Sequence, residues 1–298
     1  MRISADKGAD PATGRERTTD PVVVPGQSLA RILILPALAV IVVFFLYPLA
    51  IMGWRSLSDP SPAVYLKFFD SPVYLWALFS TIWMSALVTA VCLSLAYPYA
   101  YAMYRASWAG VFILSMLVLL PFWSSLLVRT YAWTIILRDG GIINWALLKI
   151  GLIDEPLSLM GNRFAIVLGM SHVLLPFMVM PIYASMRRFD TTLAQAAISL
   201  GATSGQVLRR IFIPLTMPGI LAGSLLVFVL SVGFYITPAL LGGRTAFFSL
   251  LVVTQISRIL DFGFGSALGM VLLAVVLAIV AIGARFVPLT DLFGEEKR

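Results

Sequence analysis

The sequence predicts an all-α integral membrane protein with six transmembrane helices, and three observations lead there. Of its 298 residues, 60% are hydrophobic and 12% are charged. The mean hydropathy is +0.96, a balance that water-soluble globular domains of this size do not approach. Six apolar runs each approach or exceed the ~20 residues that a helix needs to cross the hydrocarbon. Lys and Arg are also spread unevenly among the segments between those runs, as loops on the two sides of a membrane require.

Residues 1–30 mix Gly, Pro, Thr, Asp and Arg without apolar periodicity and are expected to form a disordered tail. The membrane domain is expected over 31–286, with a short charged tail at 287–298. The first span is 32–53, too far behind a polar tail to be a signal peptide. Residues 54–77 place Pro60, Pro62, Asp59 and Asp70 among aromatic residues, a composition suited to a loop along the headgroup region. The second span, 78–104, contains Pro98, and the third, 110–137, contains Pro121. A proline inside a span frees a backbone carbonyl, which then needs a neighbouring helix, a hydroxyl or water. A polar connector follows to Arg163. The fourth span is 164–186, with Pro176 and Pro181, and the fifth is 215–241, with Pro218 and Pro238. A run at 246–256 is too short to cross and reads as an interfacial or partly inserted helix, and 264–284 is the sixth span.

Six spans put both termini on one side. With the termini inside, thirteen Lys and Arg fall on inner segments and seven on outer loops, which orients the termini toward the cytoplasm. The net charge of +7 therefore belongs to loops and tails facing headgroups and water, and gives little support to nucleic-acid binding. One cysteine, Cys92, and one histidine, His172, exclude a disulfide framework and any multi-histidine or thiolate metal site, so no metal ligands are assigned.

The most informative stretch is the polar-to-amphipathic insert at 187–214. Leu193 to Leu200 is Ala-rich and favours helix. Gly201 can end it in a left-handed conformation, and a second helical pattern runs from Ser204 to Ile213, where Pro214 is expected to stop it. The insert resembles the coupling loop of binding-protein-dependent ABC importer permeases: Glu-Ala-Ala, three residues, Gly, nine residues, Ile, one residue, Leu-Pro. The matching positions here are Gln195, Ala196, Ala197, Gly201, Ile211, Ile213 and Pro214. Glu is replaced by Gln and Leu by Ile, with the spacing kept throughout. Small residues at Ala196 and Ala197 allow close approach of another protein surface.

Three further stretches resemble permeases of the spermidine/putrescine subfamily. They run from Leu120 to Trp133 (LPFWSSLLVRTYAW), from Gly151 to Leu157 (GLIDEPL) and from Gly233 to Gly243 (GFYITPALLGG). The resemblance implies the type I ABC importer permease (MetI-like) fold in a bacterial inner membrane. It also implies a second, related permease, two copies of an ABC ATPase docked on the coupling loop, and an external solute-binding protein. ATP and magnesium would sit on the ATPase, with no cofactor in this chain. Consistently, the sequence has no phosphate-binding Gly-rich loop with Lys and Ser/Thr.

Candidates for lining a solute path are Trp123, Arg129, Tyr131, Trp133, Phe234, Tyr235 and Thr237. Aromatic faces can hold a cation; belt or packing roles explain the same rings. Arg129 is the one formal charge placed within a span, and it has two readings. It lines the path, or it snorkels and ties down carbonyls freed by a kink. His172 after Ser171 has no accompanying nucleophile and oxyanion motif, and reads as a packed histidine. A self-sufficient secondary transporter is the alternative function, but the ion-coupling residues and internal repeats it calls for are not visible.

Overall fold

The structure, a computed structural model, describes residues 35, 36, 38–59 and 61–285; the tails expected at 1–30 and 287–298 lie outside the described residues. These fall into two units divided between Ile51 and Met52. Helix α1, Leu38–Ser58, runs through that division and carries a widened i→i+5 turn at Val42–Leu46. All the elements that follow belong to the second unit.

The segment 54–77, expected as a loop, is largely helical. α2, Val64–Asp70, buries Val64 and Phe68, and Phe68 meets Phe248 edge-on at 6.1 Å. α3, Pro72–Arg105, has 34 residues and begins on a proline, which the first helical turn tolerates because its N–H would be unpaired anyway. At about 1.5 Å per residue it is roughly 50 Å long, more than the hydrocarbon thickness.

The run expected as the third span is broken. α4, Trp108–Leu119, tightens into a 3₁₀ turn at Leu120–Trp123. The axis then bends by 96° into the stretch Leu126–Lys149, which opens with α5, Leu126–Leu137. Pro121 lies in that turn and cannot donate to the helical ladder. The polar connector that follows contains α6, Ile142–Lys149, around the buried Asn144. The Asn144 side chain donates to the Leu157 carbonyl at 2.9 Å and accepts from the Leu157 N–H at 2.8 Å, which holds the connector closed.

α7 spans Arg163–Arg187, α8 is Thr191–Ser199 and α9 is Ser204–Val232. The fifth span, expected over 215–241, is instead helical to Val232 and broken at Gly233–Tyr235, and is followed by α10, Ile236–Leu241. α11, Phe248–Ile259, and α12, Phe262–Ala284, complete the described residues. α3, α7 and α9 form the core, around Met84, Met103, Met170, Met178 and Met186. Gly219 and Gly223 bring α9 onto α7. A Cβ on Gly219 would lie 2.6 Å from the Pro181 carbonyl oxygen, and one on Gly223 3.0 Å from Met178 Sδ. This is the small-xxx-small packing that helices use in membranes, where dispersion replaces the hydrophobic effect as the driving force.

Candidate functional site

The insert between α7 and α9 is a helix-turn-helix whose every end is capped. The Asp190 carboxylate accepts from the Thr192 N–H at 2.9 Å and starts α8. That backbone hydrogen bond holds its pKa below the ordinary carboxylate value, because it favours the charged form. At the far end Gly201 has φ +88°. Its N–H reaches the Ile198 carbonyl at 2.9 Å, and the Ala202 N–H reaches the Ala197 carbonyl at 3.0 Å. These two bonds are the Schellman pattern, which satisfies the last carbonyls of the helix only when the turn residue is left-handed. Thr203 and Gln206 then form a reciprocal capping box that starts α9.

No residue of α8 is buried. Gln195 and Ala196 are exposed and Ala197 is half-buried. Leu193, Ala196, Ala197 and Leu200, spaced i, i+3, i+4, i+7, form one apolar stripe, and Leu200 is 89% exposed. Arg187, Arg188, Arg209 and Arg210 are exposed around it. The insert thus presents a short helix with an exposed apolar and small-residue stripe, with four exposed arginines on the segments that flank it.

Pro214 does not stop the second helix. α9 passes through it by widening into an i→i+5 turn at Leu208–Phe212. A proline ring in a regular helix would collide with the carbonyl four residues back, that of Arg210, and the widened turn lies over that carbonyl. Ile211 is half-buried, Pro214 is exposed and Phe212, unremarked in the sequence reading, is buried.

The path candidates do not form one cluster. Thr237 is buried on Thr130, their hydroxyl oxygens 3.4 Å apart, so the first and third subfamily stretches meet there. The Gly161 N–H also donates to the Leu241 carbonyl. The Trp133 indole N–H donates to His172 Nδ1 at 3.4 Å, and both rings border a groove of about 560 Å3 with Leu87, Val91 and Val167. Trp123 and Tyr131 are 87% and 62% exposed. Tyr235 is exposed and Phe234 half-buried, with the Phe234 carbonyl accepting from Ser249 Oγ at 2.7 Å. Arg129 sits at the bend. Its Nη2 donates to the Ser124 carbonyl at 3.2 Å, while Ser124 Oγ donates to the Pro121 carbonyl at 2.9 Å. A hydroxyl and a guanidinium thus take the carbonyls released by the break. Gly219 and Gly223 form a G-x-x-x-G pattern, a signal in the sequence for the close approach of α9 to α7.

The described residues form a nearly all-helical membrane bundle with a helix-turn-helix between two of its spans. No protein-family profile matches the chain. The spermidine/putrescine transport system permease protein PotB of Escherichia coli (strain K12) is 38% identical over 204 residues, covering 68% of this chain and 74% of that protein. PotB of Haemophilus influenzae is 32% identical over 240 residues, covering 80% of each. A solved bacterial alginate ABC transporter, in complex with alginate pentasaccharide-bound periplasmic protein, superposes with a TM-score of 0.73 at 17% identity over 88% of this chain and 96% of that one. The chain belongs to the family of spermidine/putrescine-type ABC transporter permeases.

Proposed function

We propose that this chain supplies half of the translocation path of an ATP-driven importer for a polyamine such as spermidine or putrescine, or a related small amine. The observation that carries the assembly is the fully capped α8–Gly201–α9 unit, whose stripe is exposed at Leu193, Ala196 and Leu200. In this reading α8 docks in a cleft of a cytoplasmic ATPase, one copy beneath each of two related permeases, and an external binding protein delivers the solute. ATP and magnesium belong to the ATPase. Closure of the two ATPases draws the coupling helices together and rocks the spans, so that the path opens toward the loaded binding protein. Both termini then face the cytoplasm, in agreement with the distribution of Lys and Arg.

The polyamine assignment rests on what the PotB relatives are named for. The assigned spans hold no Asp or Glu, so a polycation would be steadied by aromatic faces and carbonyls rather than by ion pairing. Arg129, engaged with the bend, is assigned an anchoring role.

Purification of the tagged chain from its native membrane, followed by reconstitution with the proteins that accompany it, tests the reading. Co-purification of an ATPase and a second permease is expected, with ATP-dependent uptake of spermidine or putrescine when the binding protein is present. A lone chain catalysing ion-dependent uptake overturns it.

A further inference from the structure

Within residues 187–214 only Val207 and Phe212 are buried, so these two side chains anchor the insert in the protein core. Phe212 is the larger anchor, 5% exposed, and its ring meets three other rings from two parts of the chain. It meets Phe189, at the junction of α7 and α8, edge-on at 4.9 Å. It meets Tyr101 at 5.8 Å and Tyr104 at 5.3 Å, both on the last turns of α3. Edge-on and tilted aromatic contacts of this kind are directional and close-packed, and such a cluster resists deformation.

The backbone places Phe212 there by an unusual route. In a regular α-helix Val207 and Phe212, five residues apart, would point about 140° away from each other. The i→i+5 turn at Leu208–Phe212 narrows that angle, so both side chains enter the core while Arg209 and Arg210 remain exposed. Such insertions in helices are frequent at functional sites. α7 and α9 are joined to α8 through the backbone; α3 reaches the insert through the rings of Tyr101 and Tyr104.

We infer that the Phe212 ring, clamped by Phe189, Tyr101 and Tyr104, is the positioning residue that passes displacement of α8 to the ends of α3 and α7. This rests on the reading of α8 as the ATPase-docking helix. Loss of the ring leaves α8 and its stripe intact, so the ATPase still binds. The movement is then absorbed locally, and hydrolysis and transport separate.

The test uses the complete transporter in proteoliposomes and measures ATPase co-purification, ATPase stimulation by loaded binding protein, and solute moved per ATP. Phe212→Ala is expected to retain the ATPase while solute moved per ATP falls by about tenfold, within the usual range of coupling between sites. Tyr101→Phe and Tyr104→Phe keep the rings and should match the wild type. Tyr104→Ala, which removes a half-buried ring, should lower the ratio severalfold; it decides the question alone if Phe212→Ala does not assemble. A wild-type ratio in the alanine variants overturns the inference, as does a loss of uptake that only tracks lost assembly. Failure of the wild-type chain to bind an ATPase would instead overturn the docking reading.

Discussion

Gly201 stands at φ +88° with nothing within 4 Å of where a Cβ would be, so a side chain there strains the backbone without colliding with anything. A β-branched residue in the left-handed region costs about 1–2 kcal/mol, whereas Asn tolerates it. Gly201→Val is therefore expected to fray the end of α8 and reduce ATPase co-purification and uptake together, while Gly201→Asn stays close to wild type. Arg129 gives a second test at this scale. If its guanidinium anchors the bend through the Ser124 carbonyl, Arg129→Gln should lower stability by about 1 kcal/mol, seen as a lower melting temperature in detergent, with solute competition profiles unchanged. Altered solute preference at unchanged stability would place Arg129 in the path instead.

At the scale of elements, the approach of α9 to α7 depends on two glycines with different neighbours. A Cβ on Gly219 would collide with Ser185 Cβ and lie 2.6 Å from the Pro181 carbonyl oxygen, both fixed by the α7 backbone, whereas one on Gly223 would meet the Met178 sulfur at 3.0 Å, which can swing away, and the Met178 carbonyl oxygen at a looser 3.2 Å. Gly219→Ala should destabilise the bundle by about 1–3 kcal/mol and Gly223→Ala by clearly less. Thermal unfolding of the two purified variants, side by side, checks the order. The start of α8 carries a pH dependence. Because the folded-state pKa of Asp190 is lowered by the Thr192 N–H, the cap is in force above the ordinary carboxylate pKa and is lost as pH falls through the lowered value. Amide exchange at Thr192, corrected for its intrinsic pH dependence, should lose protection only at acidic pH, and in Asp190→Ala it should be unprotected throughout.

For the whole molecule, the proposed reading gives each permease one coupling helix, and a rocking motion driven by a pair of ATPases would need two. The chain reconstituted with an ATPase but without a second permease is expected to show no binding-protein-stimulated hydrolysis. Coupled uptake from that pair would establish a functional homodimer and remove the need for a second permease.

Hydropathy alone was sufficient to place the chain in a membrane and to locate its apolar runs, because burial of some 20 residues in hydrocarbon is a local, compositional demand. The helix-turn-helix was likewise legible. Ala-rich sequence and a glycine free to turn left-handed are short-range signals, and the Thr203-x-x-Gln206 box that the structure adds is of the same kind. Pro121 and Pro214 mark the limit of that reasoning. Both deny the helix one N–H, yet the chain bends by 96° just after the first and continues as helix through the second. At Pro121 the freed carbonyls are taken by Ser124 and Arg129. At Pro214 the burial of Phe212 among Phe189, Tyr101 and Tyr104 accompanies the widened turn. Trp133 with His172 and Thr130 with Thr237 are pairs of the same kind, joining residues 39 and 107 positions apart. Sequence by itself determined which runs are apolar enough to span and where the helix-turn-helix lies between them. Tertiary structure decided which breaks bend and which rings lock, since those outcomes depend on partners distant in the chain and on packing that admits few arrangements.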